Sequence, residues 1–113
     1  MTREHIIDDL SNLEQQMLLA IIRLHPCAYG LGIRNEISLR TDKSHSVGTI
    51  YAALERLEKK GFVESREGEP VAKRGGRKKL FFVITGLGQR ALAASLQSLD
   101  DLRSGVDLEG ALA

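Results

Sequence analysis

Ser46 is followed by apolar residues at Val47, Ile50, Leu54 and Leu57, and Gly61 closes the run, a spacing of 3, 4, 3 and 4 residues. That rhythm keeps one face of an α-helix apolar, serine is a preferred N-cap, and glycine is the residue that most readily ends a helix. The spacing therefore predicts a helix between Ser46 and Gly61, and it is the best-defined element of the chain. Its outer face carries Thr49, Ala52, Ala53 and Arg56. These are small or hydrogen-bonding groups where a plain surface helix carries mostly long charged ones, so another molecule can come close.

Two helices are expected before it. Ser11 and Glu14 form the pattern of a capping box, and Leu13, Met17, Ala20, Ile21 and Leu24 then recur at helical spacing until Pro26. Leu18, Leu19 and Ile22 widen the apolar surface to most of the circumference, which predicts a central helix covered on two sides and facing a partner chain as well. Residues 28–40 carry Tyr29, Ile33 and Ile37 on one side and read as the second helix. Gly30 and Gly32 near its start permit close approach of another backbone. The polar run 41–45 reads as a turn.

After the third helix, residues 62–66 and 80–84 are β-prone and the stretch between them is rich in Gly, Lys and Arg. This predicts a hairpin with a basic loop at about residues 67–79. Thr85 then caps a last helix with a stripe of Leu92, Leu96, Leu99 and Leu102, and the weakly patterned residues 104–113 read as a flexible tail.

Charge is concentrated rather than excessive. The formal net charge is only +1, yet residues 41–79 hold ten basic side chains against six acidic ones. Lys73, Arg74, Arg77, Lys78 and Lys79 fall in one seven-residue run free of acidic groups. Such a run is either a solvated loop or a contact for a polyanion.

Other classes are disfavoured. At 113 residues, 42% hydrophobic and 27% charged, the chain fits one soluble folded domain. No apolar run approaches the roughly 18 residues of a membrane span, and the start MTREHIIDDL lacks the pattern of a signal peptide. A cytoplasmic protein without membrane attachment is expected. The single Cys27 is expected to be a small core residue. His5, His25 and His45 are scattered, so no metal site is expected. Gly30-Leu31-Gly32 and Gly86-Leu87-Gly88 do not complete a nucleotide-binding fingerprint, and no nucleophile–base set is evident. No cofactor and no enzymatic activity are expected.

The predicted order is α-α-α-β-β-α: a mainly α fold with a small β-hairpin, which is the plan of a winged helix-turn-helix with a C-terminal dimerisation helix. The single domain divides into a winged-helix core at 11–84, the dimerisation helix at 85–103 and the tail at 104–113. In that plan the third helix enters the major groove of double-stranded DNA while the basic loop lies along an adjacent phosphate backbone.

Residues 48–63, GTIYAALERLEKKGFV, resemble the signature of the PadR family of bacterial transcriptional regulators. Residues 18–33 resemble that family's passage from helix one to helix two, with Tyr29 and Gly30 near its aromatic-glycine pair. Residues 75–92 resemble its wing strand and the Thr-x-x-Gly-x-x-x-Leu that follows, and the similarity spans about residues 11–96. Val47 stands where the family often has proline, and Phe82 where it often has tyrosine. The chain resembles the small subfamily, which has a short C-terminal region.

The resemblance implies a dimeric, sequence-specific regulator, a repressor by expectation, at an inverted-repeat operator. It leaves open whether a small-molecule effector exists. DNA contacts are expected at Ser46, Thr49, Tyr51, Arg56, Lys73, Arg74, Arg77, Lys78 and Lys79, and dimer contacts at Leu92, Leu96, Leu99 and Leu102. Each has a plainer alternative: the leucine stripe packs only on helix one of its own chain, and any single wing cation is a solvated charge. Thr49 touches a base edge or is a tolerated surface residue, Tyr51 reaches a phosphate or only packs, and Ser46 is first a cap. Arg56 reaches DNA or pairs with Glu55 or Glu58. The rival function is a winged-helix module whose basic wing meets an acidic protein.

Overall fold

The computed structural model describes residues 10–71 and 77–110. Helix α1 spans Asn12–Leu24, and both halves of its capping box form: the Glu14 N–H donates to Ser11 Oγ at 3.1 Å and the Ser11 N–H to Glu14 Oε1 at 2.9 Å. Met17, Leu18 and Ile21 are fully buried, whereas Leu19 and Ile22 remain exposed. Within one chain, α1 is therefore covered on one broad side.

Helix α2 spans Gly30–Thr41 and begins two residues later than the periodicity suggests. Ala28 and Tyr29 pair with the hairpin instead: the Phe82 N–H donates to the Ala28 carbonyl at 2.8 Å, and Tyr29 bridges to Phe81. Ala28 is buried at that junction while its neighbour Cys27 is exposed. The expectation of a core cysteine is thus corrected: the turn points alanine inward and the thiol outward. α2 ends at Asp42, in the left-handed region at φ 61°.

Helix α3 spans Val47–Lys59 and buries Ile50, Ala53, Leu54 and Leu57. Ala53 belongs to the core face, not the outer face, since it lies three residues beyond Ile50 and four before Leu57. Strands β1, Val63–Val71, and β2, Arg77–Ile84, pair antiparallel, with Val63 opposite Ile84 and Val71 opposite Arg77. The pairing runs further than expected, so most of the stretch expected to be loop is strand. A register irregularity between Glu67 and Pro70 takes up the mismatch.

Helix α4, Gly86–Arg103, starts at Thr85, whose hydroxyl accepts from the Gly88 N–H and donates to the Gly61 carbonyl at 2.7 Å. Phe62, Val63 and Phe82 from the hairpin join Ala91 and Leu92 of α4 in the same core as α1, α2 and α3. The order is α-α-α-β-β-α, that of a winged helix, with the distal half of α4 exposed.

Candidate nucleic-acid interface

Helix α3 presents its first turn to solvent. Ser46 Oγ accepts the Thr49 N–H at 3.1 Å and donates to Thr49 Oγ1 at 2.9 Å, and both side chains are exposed. The cap thus fixes the Thr49 hydroxyl, whose own proton is free to donate outward. Val47, Gly48, Tyr51 and Ala52 extend the exposed surface.

The turn that orients α3 is tied to α2. Arg34 Nε donates to the His45 carbonyl at 2.6 Å, a link between the two helices of the helix-turn-helix that no local sequence pattern signals. Tyr51 reaches back in the same direction. Its ring lies over Gly30, where a Cβ would overlap the Tyr51 hydroxyl oxygen. The close approach allowed by this glycine is therefore made by an aromatic side chain and not by another backbone.

The C-terminal half of α3 is held by a buried carboxylate. Glu14 is almost fully enclosed, with Lys60 Nζ at 3.2 Å from both of its carboxylate oxygens and Arg56 Nε at 3.4 Å from one. Burial alone would raise its pKa. The Ser11 N–H and the Lys60 and Arg56 cations outweigh that cost and hold the carboxyl below its ordinary range. The partner of Arg56 is accordingly Glu14, across the helix interface, rather than Glu55 or Glu58. Glu58 instead accepts the Ser65 hydroxyl of β1 at 2.8 Å.

The basic residues of the wing divide. Lys73 and Arg74 lie outside the described residues, and Arg77 and Lys78 occupy the first two backbone positions of β2. Lys79 is exposed, with its ammonium 4.1 Å from the centroid of the Tyr29 ring. Tyr29 immediately precedes Gly30, so Tyr51 of α3 and Lys79 of β2 meet adjacent residues at the start of α2. The sequence brings these groups together only through the fold.

The apolar stripe of α4 also divides. Leu92 is 4% exposed and Leu96 packs against the same core, whereas Leu99 and Leu102 are 54% and 77% exposed. Val106 and Leu108 continue this apolar surface past the helix. On α1, Leu19 and Ile22 line a cleft of about 410 Å³ against α2, with Arg23, Glu36 and Arg40 at its rim. Arg40 and Arg23 both bond Glu36, whose carboxyl they hold below its ordinary range.

Comparison with known proteins places these features in a family. The pattern of the Transcriptional regulator PadR-like family matches residues 18–94. An uncharacterised protein of Lysinibacillus sphaericus is 35% identical over 82 residues, which cover 71% of this chain and 72% of that protein. Among solved structures, a transcriptional regulator from Clostridium thermocellum is 25% identical, with a TM-score of 0.67 over 80% of this chain and 85% of the other. A PadR family transcription regulator from Clostridium difficile R20291 has a TM-score of 0.69 at 19% identity, covering 82% of this chain and 92% of its own.

Proposed function

The chain belongs to the PadR-like family of transcriptional regulators, and from that premise we propose that it is a sequence-specific DNA-binding repressor acting as a homodimer. The family is one of regulators and not of enzymes. The observation that carries the reading is the exposed first turn of α3, where the Ser46 cap holds the Thr49 hydroxyl, with Tyr51 exposed in the turn that follows. Thr49 reads a base edge in the major groove. Tyr51 and the N-terminal end of α3 meet the phosphate backbone, with Ser46 serving as the cap that shapes this end. The wing residues Lys73, Arg74, Arg77, Lys78 and Lys79 follow the neighbouring backbone and supply salt-sensitive affinity. Arg56 contributes through its exposed side while Glu14 anchors it.

Dimerisation is supported by the apolar surface that one chain leaves open. Leu99 and Leu102 on α4 and Leu19 and Ile22 on α1 are large exposed apolar side chains, and a second copy would remove them from water. A two-fold dimer places two α3 helices on one face of the duplex. The operator is then an inverted repeat with half-sites about 34–36 Å apart, or a multiple of that distance. Repression follows from occupancy, through an operator that overlaps the promoter.

The test is a mobility-shift titration against random genomic fragments at several salt concentrations, followed by sequencing of the retained fragments. Recovery of one inverted repeat at elevated salt is the expected result. Retention without sequence enrichment, or no retention at low salt, would instead favour a winged-helix module that meets an acidic protein.

A further inference from the structure

We propose that Tyr29 is a positioning residue for DNA binding: its ring holds the ammonium of wing residue Lys79 at the start of α2, ready for a backbone phosphate. The proposal rests on the reading of Lys79 as a DNA contact and names the residue that makes that contact efficient.

Tyr29 sits where three elements meet. It is the N-cap residue of α2, although its side chain makes no capping hydrogen bond. Its backbone bridges to Phe81 of β2, and the neighbouring Ala28 carbonyl accepts the Phe82 N–H. The ring is fixed on several sides. The Phe81 ring meets it edge-on, with centroids 6.1 Å apart and planes at 87°. Gly32 lies against one edge, where a Cβ would come within 3.2 Å of a ring carbon. Phe81 is itself braced by Gly68 of β1, its diagonal neighbour on the same sheet face, since a Cβ at that glycine would overlap the Phe81 ring.

Lys79 lies two residues before Phe81 on β2, so its side chain leaves the same face of the hairpin. Its Nζ rests 4.1 Å from the Tyr29 ring centroid. An aromatic face attracts an ammonium electrostatically but occupies only one side of it, so N–H donors remain for an acceptor on the other. A lysine on a free strand must give up the freedom of a long flexible stem when it binds a phosphate. A lysine already held on a braced ring has given up much of it beforehand. Tyr51 lies on Gly30, the next residue of the chain. The held ammonium and the Tyr51 hydroxyl therefore flank the start of α2, one from the wing and one from α3.

Fluorescence anisotropy of a short labelled random-sequence duplex, titrated with the full chain at several salt concentrations, tests this. Lys79→Ala is expected to weaken binding and to flatten the log–log salt slope by about 0.9. Tyr29→Leu is expected to weaken binding about three- to fivefold, while Tyr29→Phe, which keeps the ring face, binds as the parent does. Tyr29→Leu added to Lys79→Ala should cause no further loss. Equal losses in both backgrounds would overturn the proposal by assigning Tyr29 a role independent of Lys79. So would a Phe variant as weak as the Leu variant, which would make the hydroxyl the ligand. A weakened Lys79→Ala beside an unaffected Tyr29→Leu would overturn the positioning role alone, whereas an unaffected Lys79→Ala would remove Lys79 from the interface and the proposal with it. Should Tyr29→Leu fail to fold, NMR of the parent decides. The Lys79 ε-methylene protons should show an upfield ring-current shift that Tyr29→Phe retains, and unshifted protons in the parent would overturn the proposal.

Discussion

Lys60, the residue that closes α3, places its ammonium 3.2 Å from both carboxylate oxygens of Glu14, in the first turn of α1 and 46 residues earlier. The same carboxylate completes the capping box with Ser11. One buried anion thus accepts the N–H of the residue that caps α1 and ties that helix to the end of α3.

Replacing Glu14 by Gln keeps the shape and the capping acceptor but leaves Lys60 and Arg56 without their counter-charge. The variant is expected to lose about 1–2 kcal/mol, less than a fully buried pair would cost because Arg56 is half in solvent. Because the folded carboxyl is held below its ordinary value of 4.5, its contribution is present above that value and disappears as pH falls through the lower folded one. Urea melts across acidic pH should show the parent and Glu14→Gln converging on acidification. Curves that stay parallel would remove the charge from the account.

Replacing Arg77, Lys78 and Lys79 together by Ala should weaken binding to all duplexes about equally and leave sequence preference intact. For every phosphate that is no longer neutralised, the log–log salt slope should flatten by about 0.9. An unchanged slope would take the wing off the DNA.

Thr49→Ala removes an outward hydroxyl without removing the backbone N–H that Ser46 caps, so the helix should keep its stability. Preference among half-site bases should change by about 1–3 kcal/mol at one position, with non-specific affinity nearly constant. Selection from random DNA that returns the parent consensus would show that Thr49 reads no base.

Leu99→Glu with Leu102→Glu should give a folded monomer, since both side chains are already exposed in the single chain. Sedimentation at micromolar concentration is the measurement, and a dimer that persists would place the interface elsewhere. Leu92→Ala makes the contrast. That side chain is buried, and its loss should cost about 2–5 kcal/mol of chain stability. Truncation after Gln89 would confuse the two effects, because it also strips Ala91 and Leu92 from the core.

The sequence alone determined the elements whose signals lie within a turn or two of one another. Ser11, Ser46 and Thr85 each cap the helix that their neighbours predict, because a cap and a 3.6-residue repeat act over three or four positions. The place of the hairpin between α3 and α4 was legible because two β-prone runs flank a stretch rich in Gly, Lys and Arg, although the strands pair beyond those runs. Tertiary structure decided which chemically similar neighbour faces inward and which distant groups meet. Ala28 is buried and Cys27 exposed because a backbone bond to Phe82 sets the turn. Arg56 turns to Glu14, 42 residues away, and not to the carboxylates beside it. Lys79 finds Tyr29 only when the wing folds back on α2. No local pattern encodes such pairs, since chain separation says nothing about distance until the hydrophobic core has closed the loops between them.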